Sequence, residues 1–174
     1  MALICHEMLI HQGITSNIID LNQINYPKFD NETVYSSSQY LSSHKIINES
    51  DSLILCSPVY NWSICAELKN FIESIGSTPS DGSKRGALYD KIVTFVNNGG
   101  LPHSYMAFTS LANSLMLDFK CIINPYNIYT CDKHWHEDGS LSPEAYKRVQ
   151  KSLHVAVELA LLLKNRNYNS DWEV

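Results

Sequence analysis

The chain has 174 residues, 44% hydrophobic and 18% charged, and its 13 Lys and Arg against 18 Asp and Glu give a net charge of −5. These proportions fit one globular domain over residues 1–174, with 165–174 as a C-terminal tail, and exclude wholesale disorder. The mild acidity excludes a nucleic-acid binder resting on phosphate contacts, and no apolar run approaches the ~18 residues of a membrane span.

Met1 to Gln12 has a helical pattern, with apolar Leu3, Ile4, Met8 and Ile10 and a stop at Gly13. Asn17 to Leu21 is expected to be a short edge strand, and a polar loop runs from Asn22 to Ser38. A weak helix follows near Gln39 to Asn48. Ser52 to Cys56 is continuously apolar, as in a parallel strand covered on both faces. Leu68, Phe71, Ile72 and Ile75 form one stripe and predict a helix over Cys65 to Ile75. After a loop rich in Ser, Gly and Pro, Lys91 to Val96 is another buried strand, ending in Asn97-Asn98-Gly99-Gly100. Pro102 suits the first turn of a helix to about Asp118, and Phe119 to Ile123 is expected to be a strand. Ser142 before Pro143 caps a last helix that runs to about Lys164. Strands alternating with helices mean an α/β domain with a parallel sheet, whose ligands bind at the carboxyl ends of the strands. The segments to inspect therefore begin at Ser57 and Asn97.

Between the apolar strand and the striped helix stands Ser57-Pro58-Val59-Tyr60-Asn61-Trp62-Ser63-Ile64. A rigid proline, aromatic rings and small polar groups at a helix start suit a flat, electron-rich ligand, and equally suit a tight turn whose aromatics pack. Together with Leu68-Lys69-Asn70 and Ile72, this segment resembles the signature of the NADPH-dependent FMN reductase family. Asn97-Asn98-Gly99-Gly100 is similar to that family's second flavin-contacting loop. The resemblance implies a flavodoxin-like, doubly wound parallel sheet of order 2-1-3-4-5. It also implies FMN as cofactor, with Pro58, Val59, Tyr60, Asn61, Trp62 and Ser63 supporting the ring and Asn97, Asn98, Gly99 and Gly100 at its pyrimidine side. Val59 stands where the family usually has Glu, and Ala66 where it has a small residue, often Gly.

A larger departure is the family's first strand and its Ser/Thr-rich phosphate loop, which have no counterpart here. A chain start set at an internal Met is the expectation, with a degenerate fragment as the alternative. By the family pattern Asn17 to Leu21 would be the second strand, and the absent one would lie between it and Leu53 to Cys56.

Other constellations point to less. Cys131 to Asp138 gathers metal-capable groups, but the spacing of His134 and His136 matches no zinc pattern, so a solvated loop and no metal are expected. Cys65 starts a helix and is expected to be a packed thiol. The five cysteines include no CxxC and suit a reducing compartment, and no basic leader opens the chain, so a cytoplasmic location is expected. The expected function is hydride transfer from NADPH or NADH to FMN, and electron delivery to free flavin, a quinone or another small acceptor. No side chain need act as acid or base, so no catalytic residue is named. Partners are expected to be that small acceptor and further copies in a homodimer or homotetramer, with no nucleic acid and no membrane. An electron carrier or a flavin-free interaction module is the alternative.

Overall fold

The computed structural model describes residues 1–166, so most of the predicted tail lies outside the described residues. Helix α1 is Ala2–His11, and it ends where Gly13 takes φ 75°, a left-handed conformation that favours glycine. Helix α2 is Ser38–Glu49, begun by Ser37, whose hydroxyl accepts the Tyr40 N–H. Strand β1, Ser52–Tyr60, turns back through the two-residue strand β2, Ser63–Ile64, into helix α3, Ala66–Gly76. Strand β3, Ile92–Asn98, leads to helix α4, Thr109–Phe119. Two short strands, β4 (Ile122–Ile123) and β5 (Ile128–Thr130), precede helix α5, Pro143–Leu163.

The sheet order is β2-β1-β3-β4, with β5 also on β3. β1, β3, β4 and β5 are parallel, and β2 is antiparallel to the end of β1. β4 and β5 act as one interrupted strand: β4 pairs Ile92 and Val93, while β5 pairs Val96 to Asn98. Between them the Asn127 carboxamide oxygen accepts the Phe95 N–H at 2.8 Å, so the break leaves that group satisfied. The buried Asn124 amide secures the same break, donating to Thr94 Oγ1 at 3.0 Å and to the Ser152 carbonyl at 3.1 Å.

Residues of alternate parity in β1 and β3 face opposite ways, as strand geometry requires. Leu53, Leu55, Val93 and Phe95 join the apolar cluster built with α2, α3 and α4. Ile54, Cys56 and Val96 join the cluster built with α1 and α5. The predicted stripe Leu68, Phe71, Ile72 and Ile75 is wholly buried in the first of these.

Asn17 to Leu21 is not a strand. Residues 14–20 are irregular and 21–25 form a turn, where the Asp20 carboxylate accepts the Asn22 N–H. Ile14 packs on the α1 and α5 side while Ile19 and Leu21 pack on the other, so the segment passes from face to face instead of running along an edge. A strand exists only by pairing, and among the described residues β1 has no partner on its outer edge before Val59. The sheet therefore carries the flavodoxin-like parallel core without the first two strands of the 2-1-3-4-5 order.

The helix predicted from Pro102 begins seven residues later. Residues 104–106 form a tight 3-10 turn, and Leu101, Tyr105 and Met106 are exposed, so the small residues Ser104 and Ala107 alone are buried there and give a helix little apolar support. Phe119 belongs to α4, which Lys120 ends at φ 56°, leaving only Ile122 and Ile123 as strand. Within the predicted loop, residues 132–134 form a 3-10 turn, with His134 Nδ1 accepting the Cys131 N–H at 3.0 Å.

Candidate functional site

The chain's segments after Ser57 and Asn97 meet because their strands are neighbours. Ser57 stands beside Asn97, and Pro58 beside Asn98, in the parallel ladder. Parity then separates these pairs: Pro58 and Asn98 face the α1 and α5 side with Cys56 and Val96. On that side a cavity of about 250 Å³ opens at the carboxyl ends of β1 and β3. Cys56, Ser57, Pro58, Val96, Asn98 and Trp135 line it, and Met1 and Ala2 at the start of α1 close it. No charged side chain borders it.

The walls are held by hydrogen bonds. Asn98 Oδ1 accepts from Trp135 Nε1 at 2.9 Å and from Thr130 Oγ1 at 2.7 Å, which leaves the Asn98 amide N–H groups as donors. Ser57 Oγ accepts the Cys65 N–H at 3.1 Å and donates to the Pro58 carbonyl at 2.8 Å. The hydroxyl thus ties the end of β1 to the start of α3. Cys65 is buried there as a packed thiol.

Tyr60 pairs with Ser63 and Val59 with Ile64, so Asn61 and Trp62 form a two-residue hairpin turn. Both have positive φ, 49° and 63°, which such a turn demands of its two central residues. Asn adopts this conformation readily and Trp does not. Tyr60 and Trp62 project from the hairpin, 62% and 67% exposed, and stand outside the cavity wall.

Asn97 is fully buried on the opposite face, and neither atom of its amide has a partner. Gly99 is required by packing: a Cβ there would lie 2.5 Å from the Tyr129 hydroxyl, which donates to the Leu101 carbonyl. Gly100 has room for one, with Asp132 Oδ2 at 3.9 Å.

Of the loop residues singled out from the sequence, Ser57, Pro58 and Asn98 line the cavity, and the others do not. Sequence reasoning missed Cys56 and Val96, although the period-two alternation that places Pro58 and Asn98 places them as well. Trp135 carried no local signal, since it arrives from a loop that only the tertiary fold brings to Asn98.

Helices on both faces of a parallel sheet, with a cavity free of charged side chains at its carboxyl end, define an α/β protein of the flavodoxin-like type. The chain belongs to the NADPH-dependent FMN reductase family, whose pattern it matches over residues 1–136. It is 25% identical over 122 residues to an NAD(P)H-dependent FAD/FMN reductase of Geobacillus thermodenitrificans, covering 70% of this chain and 62% of that protein. It is 32% identical over 80 residues to an NAD(P)H-dependent FMN reductase of Saccharomyces cerevisiae, covering 40% of this chain and 42% of that one. The chain thus spans less than two thirds of either relative. Its fold is similar to the flavoenzyme NAD(P)H:acceptor oxidoreductase FerB of Paracoccus denitrificans, with TM-score 0.71, 16% identity, and coverage of 91% of this chain and 86% of that one. The apo form of the NADH:FMN oxidoreductase EmoB gives TM-score 0.67 at 14% identity, covering 90% and 81%.

The cavity suits part of a flavin. Small-molecule sites usually occupy ~300–1,000 Å³, so at about 250 Å³ this one has room for a ring system and not for a whole nucleotide. An aromatic wall, a rigid proline and one free amide donor fit an uncharged heterocycle. For a phosphate the lining offers no cationic side chain; what it has is the amino terminus of Met1 and the first-turn N–H groups of a helix beginning at Ala2. Among the described residues no helix is long and apolar enough to cross a membrane.

Proposed function

We propose that this protein is an FMN-dependent NAD(P)H oxidoreductase that passes electrons to a small acceptor, a free flavin or a quinone. The observation that supports this best is the cavity between Pro58 and Asn98, bordered by no charged side chain, in a chain of this family. A bound flavin supplies the chemistry by accepting hydride from the nicotinamide and passing on electrons. The chain's own residues position it. Pro58 and Trp135 offer apolar walls, and the Asn98 amide is fixed by two bonds to its oxygen so that its N–H groups meet a ring acceptor. Val59, Tyr60, Asn61, Trp62 and Ser63 form the rim on one side, and Asn97, Gly99 and Gly100 support the other. Either NADPH or NADH serves as donor, and exposed Leu101, Tyr105 and Met106 suit a homodimer or homotetramer contact beside the rim.

Titration of the purified chain with FMN and with riboflavin tests this. Both are expected to quench on binding, with affinities within about tenfold (~1.4 kcal/mol), because ring contacts dominate and no cationic side chain borders the cavity. NAD(P)H oxidation should depend on the added flavin. A chain that binds neither flavin would be a flavin-free interaction module instead.

A further inference from the structure

Trp135, the aromatic wall of the cavity, is carried on a short turn that closes on one imidazole nitrogen. The turn is the 3-10 segment Asp132–His134, which follows β5. His134 Nδ1 accepts the Cys131 backbone N–H at 3.0 Å, and Cys131 Sγ stands 3.4 Å from the same nitrogen. A backbone N–H can only donate, so Nδ1 carries no proton and the neutral ring holds its proton on Nε2. In return the His134 N–H donates to the Cys131 carbonyl at 2.8 Å, and the Trp135 N–H to the Asp132 carbonyl at 3.0 Å. The next side chain is the indole that donates to Asn98 at the cavity mouth. Cys131 is buried, whereas His134 is half-buried and open to protons from solvent.

We propose that His134 is a positioning residue that fixes Trp135 in the cavity wall only while its imidazole is neutral. A second proton has one place to go, Nδ1, and there it turns the acceptor into a donor. N–H then faces N–H, the bond that closes the turn is lost, and the Cys131 N–H has no acceptor. Imidazole side chains ordinarily change charge between about pH 5 and pH 8, so Trp135 is fixed at the alkaline end of that range and released at the acid end. The titratable groups around the ring are Cys131, Asp132 and Lys133 in the turn, His136 beyond it, and Met1, which lines the cavity with Trp135. Glu144 adds a carboxylate in the first turn of α5, where the Ser142 N–H meets the His134 carbonyl at 2.9 Å. Among the described residues no carboxylate is bonded to the ring, so a proton on Nδ1 gains no partner in exchange.

The test is two-dimensional NMR of the full isotope-labelled chain, without flavin, from about pH 8 to about pH 5. At the alkaline end the ring nitrogen shifts of His134 are expected to place its proton on Nε2. On acidification the Trp135 indole resonance should move in one step, with the midpoint at which the His134 ring titrates. In His134→Asn the side-chain oxygen still accepts the Cys131 N–H but binds no proton, so the step should vanish. In Cys131→Ala and in His136→Asn it should remain. A proton on Nδ1, an indole that does not move with the ring, a step surviving in His134→Asn, or one lost in either control would each overturn the proposal. If His134→Asn does not fold, coincidence of the two wild-type midpoints decides. Riboflavin, whose charge is constant over this range, is expected to bind about tenfold more weakly after the step, the size of one aromatic contact. Affinity unchanged across the step would overturn the role of His134 at the cavity. A chain binding no flavin at any pH would instead overturn the preceding reading of the site and leave the indole result intact.

Discussion

Trp135 Nε1 donates to Asn98 Oδ1 at 2.9 Å, joining a loop after β5 to the last residue of β3 across the cavity mouth. Thr130 Oγ1 has a second acceptor in the Asn97 carbonyl at 3.4 Å, so Trp135 depends on Asn98 more than Thr130 does. In Asn98→Leu the indole N–H loses its acceptor in a half-buried place, at a cost of ~1–3 kcal/mol. Asn98→Asp keeps an acceptor there and should retain stability near neutral pH, yet place negative charge in a cavity without charged side chains. We expect flavin affinity to fall at least about tenfold in the Asp variant while its denaturation midpoint stays near wild type. Equal flavin affinity in both proteins would remove Asn98 from the site.

Trp62 at φ 63° is a bulky residue in a left-handed position, which costs roughly 1–2 kcal/mol relative to glycine. Glycine returns part of that through the greater entropy of the unfolded chain, roughly 0.5–1 kcal/mol. Since the indole is 67% exposed, its removal forfeits little burial. Trp62→Gly should therefore be as stable as wild type or up to ~1 kcal/mol more so in urea denaturation, while binding flavin more weakly. A variant that is clearly less stable would mean that the ring packs instead of waiting for a ligand.

Much of this architecture was legible in the chain because local pattern and tertiary demand agreed. Leu68, Phe71, Ile72 and Ile75 are spaced for one helical face and that face is buried; Ser142 accepts the Ala145 N–H and starts α5 where its sequence says it should. Asn17 to Leu21 failed for the opposite reason. Its apolar spacing permits a strand, but pairing is a property of the neighbour, and β1 offers none before Val59. β5 was hidden because Asn124, Pro125 and Asn127 interrupt the apolar pattern, and the side chains of Asn124 and Asn127 in fact repair the break in the ladder. For the site, adjacency of β1 and β3 followed from the α/β pattern, whereas the cavity wall required parity along both strands and a tryptophan delivered from 37 residues away.

Gly99 and Gly100 look equivalent in sequence and differ in space. An alanine Cβ at Gly99 would force the Tyr129 hydroxyl away from the Leu101 carbonyl, and displacing a packed ring of this kind costs ~1–3 kcal/mol. At Gly100 it would make ordinary contact with Asp132 and leave stability within about 0.5 kcal/mol of wild type. Paired denaturation curves of Gly99→Ala and Gly100→Ala check this. Similar losses in both would place the constraint in the backbone and not in Tyr129.

Cys121 is buried beside α4, and its S–H donates to the Leu88 carbonyl at 3.2 Å. Burial pushes this thiol from 9.0 up to about 12. With the folded value raised, the folded state keeps its proton where the unfolded chain releases it, so the native state binds more protons between these limits. Stability from this group is then whole below pH 9 and lost progressively as pH rises toward about 12. Cys121→Ser keeps a donor for Leu88 and removes the ionisation. Tyr26, which burial also pushes up, titrates in both proteins and cancels in the comparison. We expect the wild type to lose stability above pH 9 with a slope about one proton steeper than Cys121→Ser, whatever the baseline cost of the substitution. Parallel pH curves for the two proteins would show that the thiol escapes burial on the alkaline side.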